Sequence, residues 1–155
     1  MAEKDGDCAQ VNSNNNIMLG VHEKARCYHT SEIGAVLSSI SIAREQEMKH
    51  IPDDLRNMLK YCDRFRSMKI PQQAGYVNQA RNNLLRKVEV NVTGYGVRME
   101  RRLHEFEAAQ LVNLMPQSTA EAEALIPTLV GNPFVSDLVA EIQPLRNMER
   151  DISIA

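Results

Sequence analysis

The stretch Leu103–Leu129, LHEFEAAQLVNLMPQSTAEAEALIPTL, decides how this chain is read. Leu103, Phe106, Ala109, Leu111, Val112 and Leu114 recur at helical spacing and predict a central core helix. Pro116 ends it. Ser118 with Glu121 predicts a capping box, because the serine oxygen can accept the Glu121 N–H and the glutamate can reach back. The helix that follows is short. Pro127 has no N–H and disfavours helix at Ile126, so Leu125-Ile126-Pro127-Thr128-Leu129 predicts a break. Nothing here is a nucleophile–base pair, a metal cluster or a phosphate-cradling glycine loop. The information lies in how one helix stops, turns and packs on another, which points to a protein that holds a partner.

Downstream, Gly131-Asn132-Pro133 reads as a turn. Val135, Leu138, Val139, Ile142 and Leu145 predict a last helix, which Pro144 should kink or end early. Upstream, Val88, Val90 and Val92 alternate with Glu89, Asn91 and Thr93, and Gly94-Tyr95-Gly96 follows. This is a short strand-like insert, after which helix is expected to resume near Arg98. Val77, Ala80, Leu84, Leu85 and Val88 share the buried side of a helix beginning after Pro71. Leu55, Met58, Leu59, Cys62 and Phe65 share a face of a helix starting at Pro52, with Asp53 and Asp54 suited to its positive end. The first helix runs from Thr30 or Ser31, as N-cap, to about Met48, and Ile33, Val36, Leu37 and Ile40 form its apolar stripe. Residues 1–29 read as a flexible, extended tail, since the polar run from Asn12 to Asn16 cannot bury enough to order itself. Within it, Ile17-Met18-Leu19 is an apolar island, either an anchor or added strand on a partner or a piece that folds back. The expected fold is an all-α helical bundle with this tail and the short insert.

Bulk properties narrow the function. The chain has 155 residues, enough for one compact domain with a tail. Aromatics make up 5% and tryptophan is absent, which argues against a surface of stacked aromatics for single-stranded nucleic acid. Net charge is -2, yet residues 60–104 carry about +7, leaving about -9 for the remainder. That basic stretch reads as solvated helix faces, or as a face turned toward nucleic acid or an acidic protein, with Arg98, Arg101 and Arg102 the candidates to face nucleic acid. Cys8, Cys27 and Cys62 are too far apart for a zinc ribbon and fit a reducing compartment. No apolar leader or membrane-spanning stretch is visible.

The catalytic candidates are weak. His104 and Glu105 beside Glu107 lack the second ligand helix of a zinc protease. Cys27-Tyr28-His29 could suggest a thiolate next to a base, but the pair is poorly placed on an extended chain. Gly94-Tyr95-Gly96 lacks the glycine and lysine of a phosphate loop. The chain is therefore expected to be a non-enzyme with no catalytic, cofactor or metal residues.

At these residues a resemblance appears. Leu103-His104-Glu105-Phe106-Glu107, Leu111-Val112-Asn113-Leu114, Pro116 and Glu121 through Leu129 resemble the stalk subunit four of eukaryotic RNA polymerase II, a family shared with the stalk of archaeal RNA polymerase. Leu59, Tyr61, Arg64 and Phe65 resemble its second helix, and Thr30-Ser31-Glu32 the start of its first. The likeness covers about residues 28 to 150. An extra stretch at Val88–Met99, a short acidic spacer and Thr128 in place of serine set this chain apart as a divergent member. The resemblance implies a helical polymerase-stalk domain over 30–155, with a partner-binding helix at 30–49. It implies a compact module at about 52–150, of the kind found at helicase C-termini (HRDC-like). It implies an obligate heterodimer with subunit seven, docking on the polymerase core, roles in initiation and nascent RNA handling, and nuclear residence with shuttling to the cytoplasm left open. Tyr28, Ile33, Val36, Leu37 and Ile40 are the expected partner-binding residues. Leu103, Phe106, Ser118, Glu121, Leu125, Ile126, Pro127 and Leu129 form the structural motif. The stalk subunit of another nuclear polymerase and a stand-alone helical nucleic-acid-binding module are the alternatives.

Overall fold

Helical periodicity and its interruptions set the order of elements. The structure, a computed structural model, describes residues 10–11, 13, 17–22, 24–66, 74–92 and 97–154. Strands β1 (Gln10–Val11) and β2 (Ile17–Met18) pair antiparallel and lead into a 3-10 turn at Gly20–His22. Then come α1 (Thr30–Gln46), α2 (Asp53–Phe65) and α3 (Ala74–Leu84). A hairpin of β3 (Val88–Val92) and β4 (Val97–Arg101) separates α3 from α4 (Glu105–Leu114). The chain closes with α5 (Thr119–Leu125), a 3-10 turn at Pro127–Leu129, and α6 (Val135–Ile154). The protein is mostly helical. Among the described residues no helix is long and apolar enough to cross a membrane.

The core lies between α3, α4, α5 and α6. Val77 and Leu84 from α3 meet Leu111 and Val112 from α4 and Leu138 and Ile142 from α6, all buried. The break at Pro127 serves this core: α5 stops at Leu125, and Ile126 and Leu129 both turn inward. Met115 closes α4 in the left-handed region (φ 45°), which disfavours a side chain, but that side chain is buried in the core. Helix α2 packs on α1, and α1 in turn meets α3.

Several local expectations are corrected. Arg98–Arg101 continues the insert as β4 instead of starting a helix, so the insert is a complete hairpin and helix begins only at Glu105. Pro144 neither ends nor shortens α6, because Leu138, Ile142 and Leu145 on the same helix stay buried and hold it together across the missing hydrogen bond. The cap of α1 is His29, not Thr30 or Ser31. Pro52 is the cap of α2 and not its first residue. Ser118 accepts the Glu121 N–H at 3.2 Å as expected, but the Glu121 carboxylate reaches one residue further back, to the N–H of Gln117 at 2.7 Å. The reciprocal box forms at α4 instead, with His104 and Glu107 as its two halves. Gly94-Tyr95-Gly96 and Asn14-Asn15-Asn16 lie outside the described residues.

Candidate partner-binding surface

Helix α1 has no charged residue from Ile33 to Ala43, three full turns. An amphipathic surface helix turns charge to water on its outer face. Here the inner face is already used: Ser31, Gly34 and Leu37 are buried, and a β-carbon built on Gly34 would lie 3.2 Å from Cys62 Cβ of α2. The outer face consists of Ala35, Val36, Ser38, Ser39, Ile40, Ile42 and Ala43, all exposed. Its two hydroxyls do not offer their protons to a partner: Ser39 Oγ donates to its own helix at Ala35 O (3.1 Å). The neighbouring Ser38 does the same at Gly34 O (2.8 Å).

A groove continues this face at the α1–α2 junction. Tyr28, Thr30, Ile33, Met58, Tyr61 and Cys62 line a cavity of about 210 Å³. Met58, Tyr61 and Phe65 are each at least half exposed along one flank of α2. The Tyr61 and Phe65 rings lie 4.7 Å apart, with the Arg64 guanidinium 5.2 Å from the Phe65 ring, and Arg26 covers Tyr28 at 5.0 Å.

The direction of α1 is set by a strap, Cys27–Thr30, gripped by two other helices. The Cys27 N–H donates to Glu105 Oε2 (2.9 Å), and Arg81 donates to the same oxygen (3.2 Å). The Thr30 N–H donates to Asn113 Oδ1 (3.0 Å). His29 is fully buried; its Nδ1 accepts the Glu32 N–H and its Nε2 lies 2.6 Å from Asn78 Oδ1. Both bonds are satisfied by a neutral ring carrying its proton on Nε2. Burial lowers the His29 pKa from its ordinary value, opposed by the Asn78 hydrogen bond and Glu32 and assisted by Arg81 and Arg26. Burial raises the Cys27 thiol, Glu105 adds to that and Arg81 opposes it, so the thiol stays protonated at neutral pH.

The expected site residues divide. Tyr28, Val36 and Ile40 are exposed and Ile33 is half-buried at the groove, whereas Leu37 is buried inside the chain and supports the face from behind. Leu19, from the apolar island, is buried by this chain itself, while Met18 stays exposed. In the motif, Ile126 and Leu129 are core, Leu103 and Phe106 half-buried, Leu125 and Pro127 exposed, and Ser118 and Glu121 cap α5. Arg101 departs most from expectation. It is buried and paired with Glu141, so it does not face nucleic acid; Arg102 is exposed beside Glu100; Arg98 sits on β4 opposite Asn91. Arg81 is likewise buried against Glu105, which subtracts two charges from the basic stretch. Met58 and Phe65, expected on a buried face, instead lie on the exposed flank of α2. Among the described residues no cluster of three metal-ligating side chains occurs.

The family model described as RNA polymerase Rpb4 matches residues 12–137, which include the strap, α1, α2 and the core helices up to the first turn of α6. No curated protein matches the chain.

Proposed function

The chain belongs to the RNA polymerase Rpb4 family, non-catalytic stalk subunits that pair with the Rpb7 partner, and from that premise we propose that it serves RNA polymerase II in the nucleus as the obligate partner of subunit seven. The heterodimer docks on the polymerase core and acts in initiation and in handling the nascent transcript. Within it, the compact module at about 52–150 is HRDC-like, and the helical stalk domain spans 30–155, preceded by the segment 1–29. Tyr28, Ile33, Val36 and Ile40 meet subunit seven directly, with Leu37 acting from beneath. Arg98 and Arg102 are left to face RNA.

One observation carries this reading: the uncharged outer face of α1. Val36, Ile40 and Ile42 each keep about half of their surface in water. Covering that half contributes roughly 1 kcal/mol per side chain, before association costs. A stalk subunit that never leaves its partner has no reason to place charge there.

The test is tagged purification of the full chain. Wild type should bring down subunit seven, and the largest subunit recovered identifies the polymerase. Val36→Asp and Ile40→Asp should abolish that recovery while the chain keeps its helical circular dichroism. Leu37→Asp should unfold the α1–α2 pair instead. Undiminished recovery with Val36→Asp rejects the α1 face as the interface.

A further inference from the structure

We infer that the groove between α1 and α2 is a second, specificity-setting part of the same interface, taking one large apolar side chain of the stalk partner flanked by carboxylates. This rests on the reading above.

The composition makes the placement informative. The chain has four tyrosines, three phenylalanines and no tryptophan. Three of those seven gather here, each at least half exposed: Tyr28 and Tyr61 line the groove, and Phe65 lies against Tyr61. Folding alone gives no reason to leave large aromatic rings in water when they could fill the core. Tyrosine and arginine are the residue types that dominate binding energy where a pocket desolvates fully on association. Both types are present here: Arg26 lies over Tyr28, and Arg64 lies over Phe65, the neighbour of Tyr61.

The occupant's chemistry follows from the walls and the rim. The cavity of about 210 Å³ has an apolar lining, with Ile33 and Met58 on its sides and the Cys62 thiol, raised by burial, among its walls. It suits one leucine-, methionine- or phenylalanine-sized side chain. Beyond Tyr61, over the Phe65 ring, Arg64 pairs with no carboxylate among the described residues, although the neighbouring α2 cations Arg56 and Arg66 pair with Asp53 and Asp63. A guanidinium lying on a ring face keeps its N–H edge free for a planar acceptor. Arg26, over Tyr28 on the other side, is already paired with Glu32, which leaves Arg64 as the cation open to the occupant. Asp54, a turn before Met58, is the one acid on this flank of α2 and stands outside the lining. Ile33 belongs both to the groove and to the α1 stripe, so one partner covers both without a gap.

The test uses the full chain with recombinant subunit seven, measuring affinity by calorimetry at low and high salt. Tyr61→Ala and Phe65→Ala should each weaken binding about tenfold or more. Arg64→Glu should weaken it comparably and flatten the salt dependence, because an attractive charge pair has become repulsive. Arg64 is exposed, so its variant should melt like wild type and separates binding from folding. Wild-type affinity in all three variants, with Val36→Asp still unable to bind, overturns the groove and leaves the α1 interface standing. Wild-type affinity in Val36→Asp as well removes both. Loss with the ring variants but an unchanged salt slope in Arg64→Glu overturns the acidic flank of the occupant.

Discussion

Replacing Arg101 with methionine should cost this protein far more than the same change at its exposed neighbour Arg102. The side chain closes the β3–β4 hairpin against the helical core: it forms a two-pronged pair with Glu141 of α6, and donates to Asn83 O at the end of α3 (3.1 Å). Arg101 is 4% exposed and Glu141 36% exposed. Breaking a fully buried ion pair costs about 3–5 kcal/mol, because the surviving charge is stranded. Glu141 can turn to water once freed, and methionine keeps most of the arginine's apolar stem, so the expected loss is about 2–3 kcal/mol. At this chain length that lowers Tm by roughly 4–12 °C. Arg102→Met is the control: with its guanidinium in water and only Glu100 nearby, it should stay within about 0.5 kcal/mol of wild type. Urea unfolding of Arg101→Met, Glu141→Gln and the double variant should show a coupling of about 1–3 kcal/mol. If Arg101→Met and Arg102→Met unfold alike, Arg101 is a solvated surface cation, and the hairpin is not pinned through it.

Three further outcomes can be measured on the same material. His29 is held neutral in the folded chain, with its pKa below the ordinary 6.5, so the unfolded chain binds the extra proton first. Stability is therefore complete above pH 6.5 and falls as pH drops from there through the folded value, and a His29→Gln variant followed by urea unfolding should lose that slope. Pro144→Ala restores a donor to the interior of α6 and should raise stability by about 1–3 kcal/mol in thermal melts; no gain would mean that α6 is distorted there to suit the core. Gly34→Ala gains about 1 kcal/mol of helix propensity but forces its new carbon against Cys62 Cβ, which is fixed to the α2 backbone; overpacking should prevail and lower Tm.

What the sequence disclosed and what it hid divide along one physical line. Local rules were legible: apolar spacing located α1 to α4 and α6, the Ser118 cap located α5, the alternating valines located β3, and Pro127 located the break before Leu129. Local rules also place a carboxylate near a helix start, but they do not say which backbone N–H it will reach, so Glu121 found Gln117 and His104 became a cap. Long-range pairing was invisible. Arg101 is 40 residues from Glu141, and nothing in ERRL separates a buried arginine from an exposed one. The stripe Ile33, Val36, Leu37, Ile40 is legible as apolar, but a helix with no charge from Ile33 to Ala43 does not show in its sequence which side faces water. Only the seam at Gly34 and Cys62 shows that Leu37 turns inward and Val36 outward.

The strap explains how such a face persists on a chain that has yet to meet its partner. Uncovered, an apolar helix lowers its free energy by rolling or by lying down on the nearest groove of its own protein. Helix α1 is denied both. Its first residue is tied by Thr30 N to Asn113, its cap His29 is buried against Asn78, and the residue before Tyr28 hangs on Glu105, itself braced by Arg81. These anchors come from α3 and α4, the helices that also carry the core, so tilting α1 would strip buried polar groups of their partners. The orientation is therefore fixed before association, and the entropy of fixing it falls on folding and not on binding. Polar bonds at one end of the helix thus keep its apolar side facing outward, where the helix's own hydrophobicity would otherwise have turned it in.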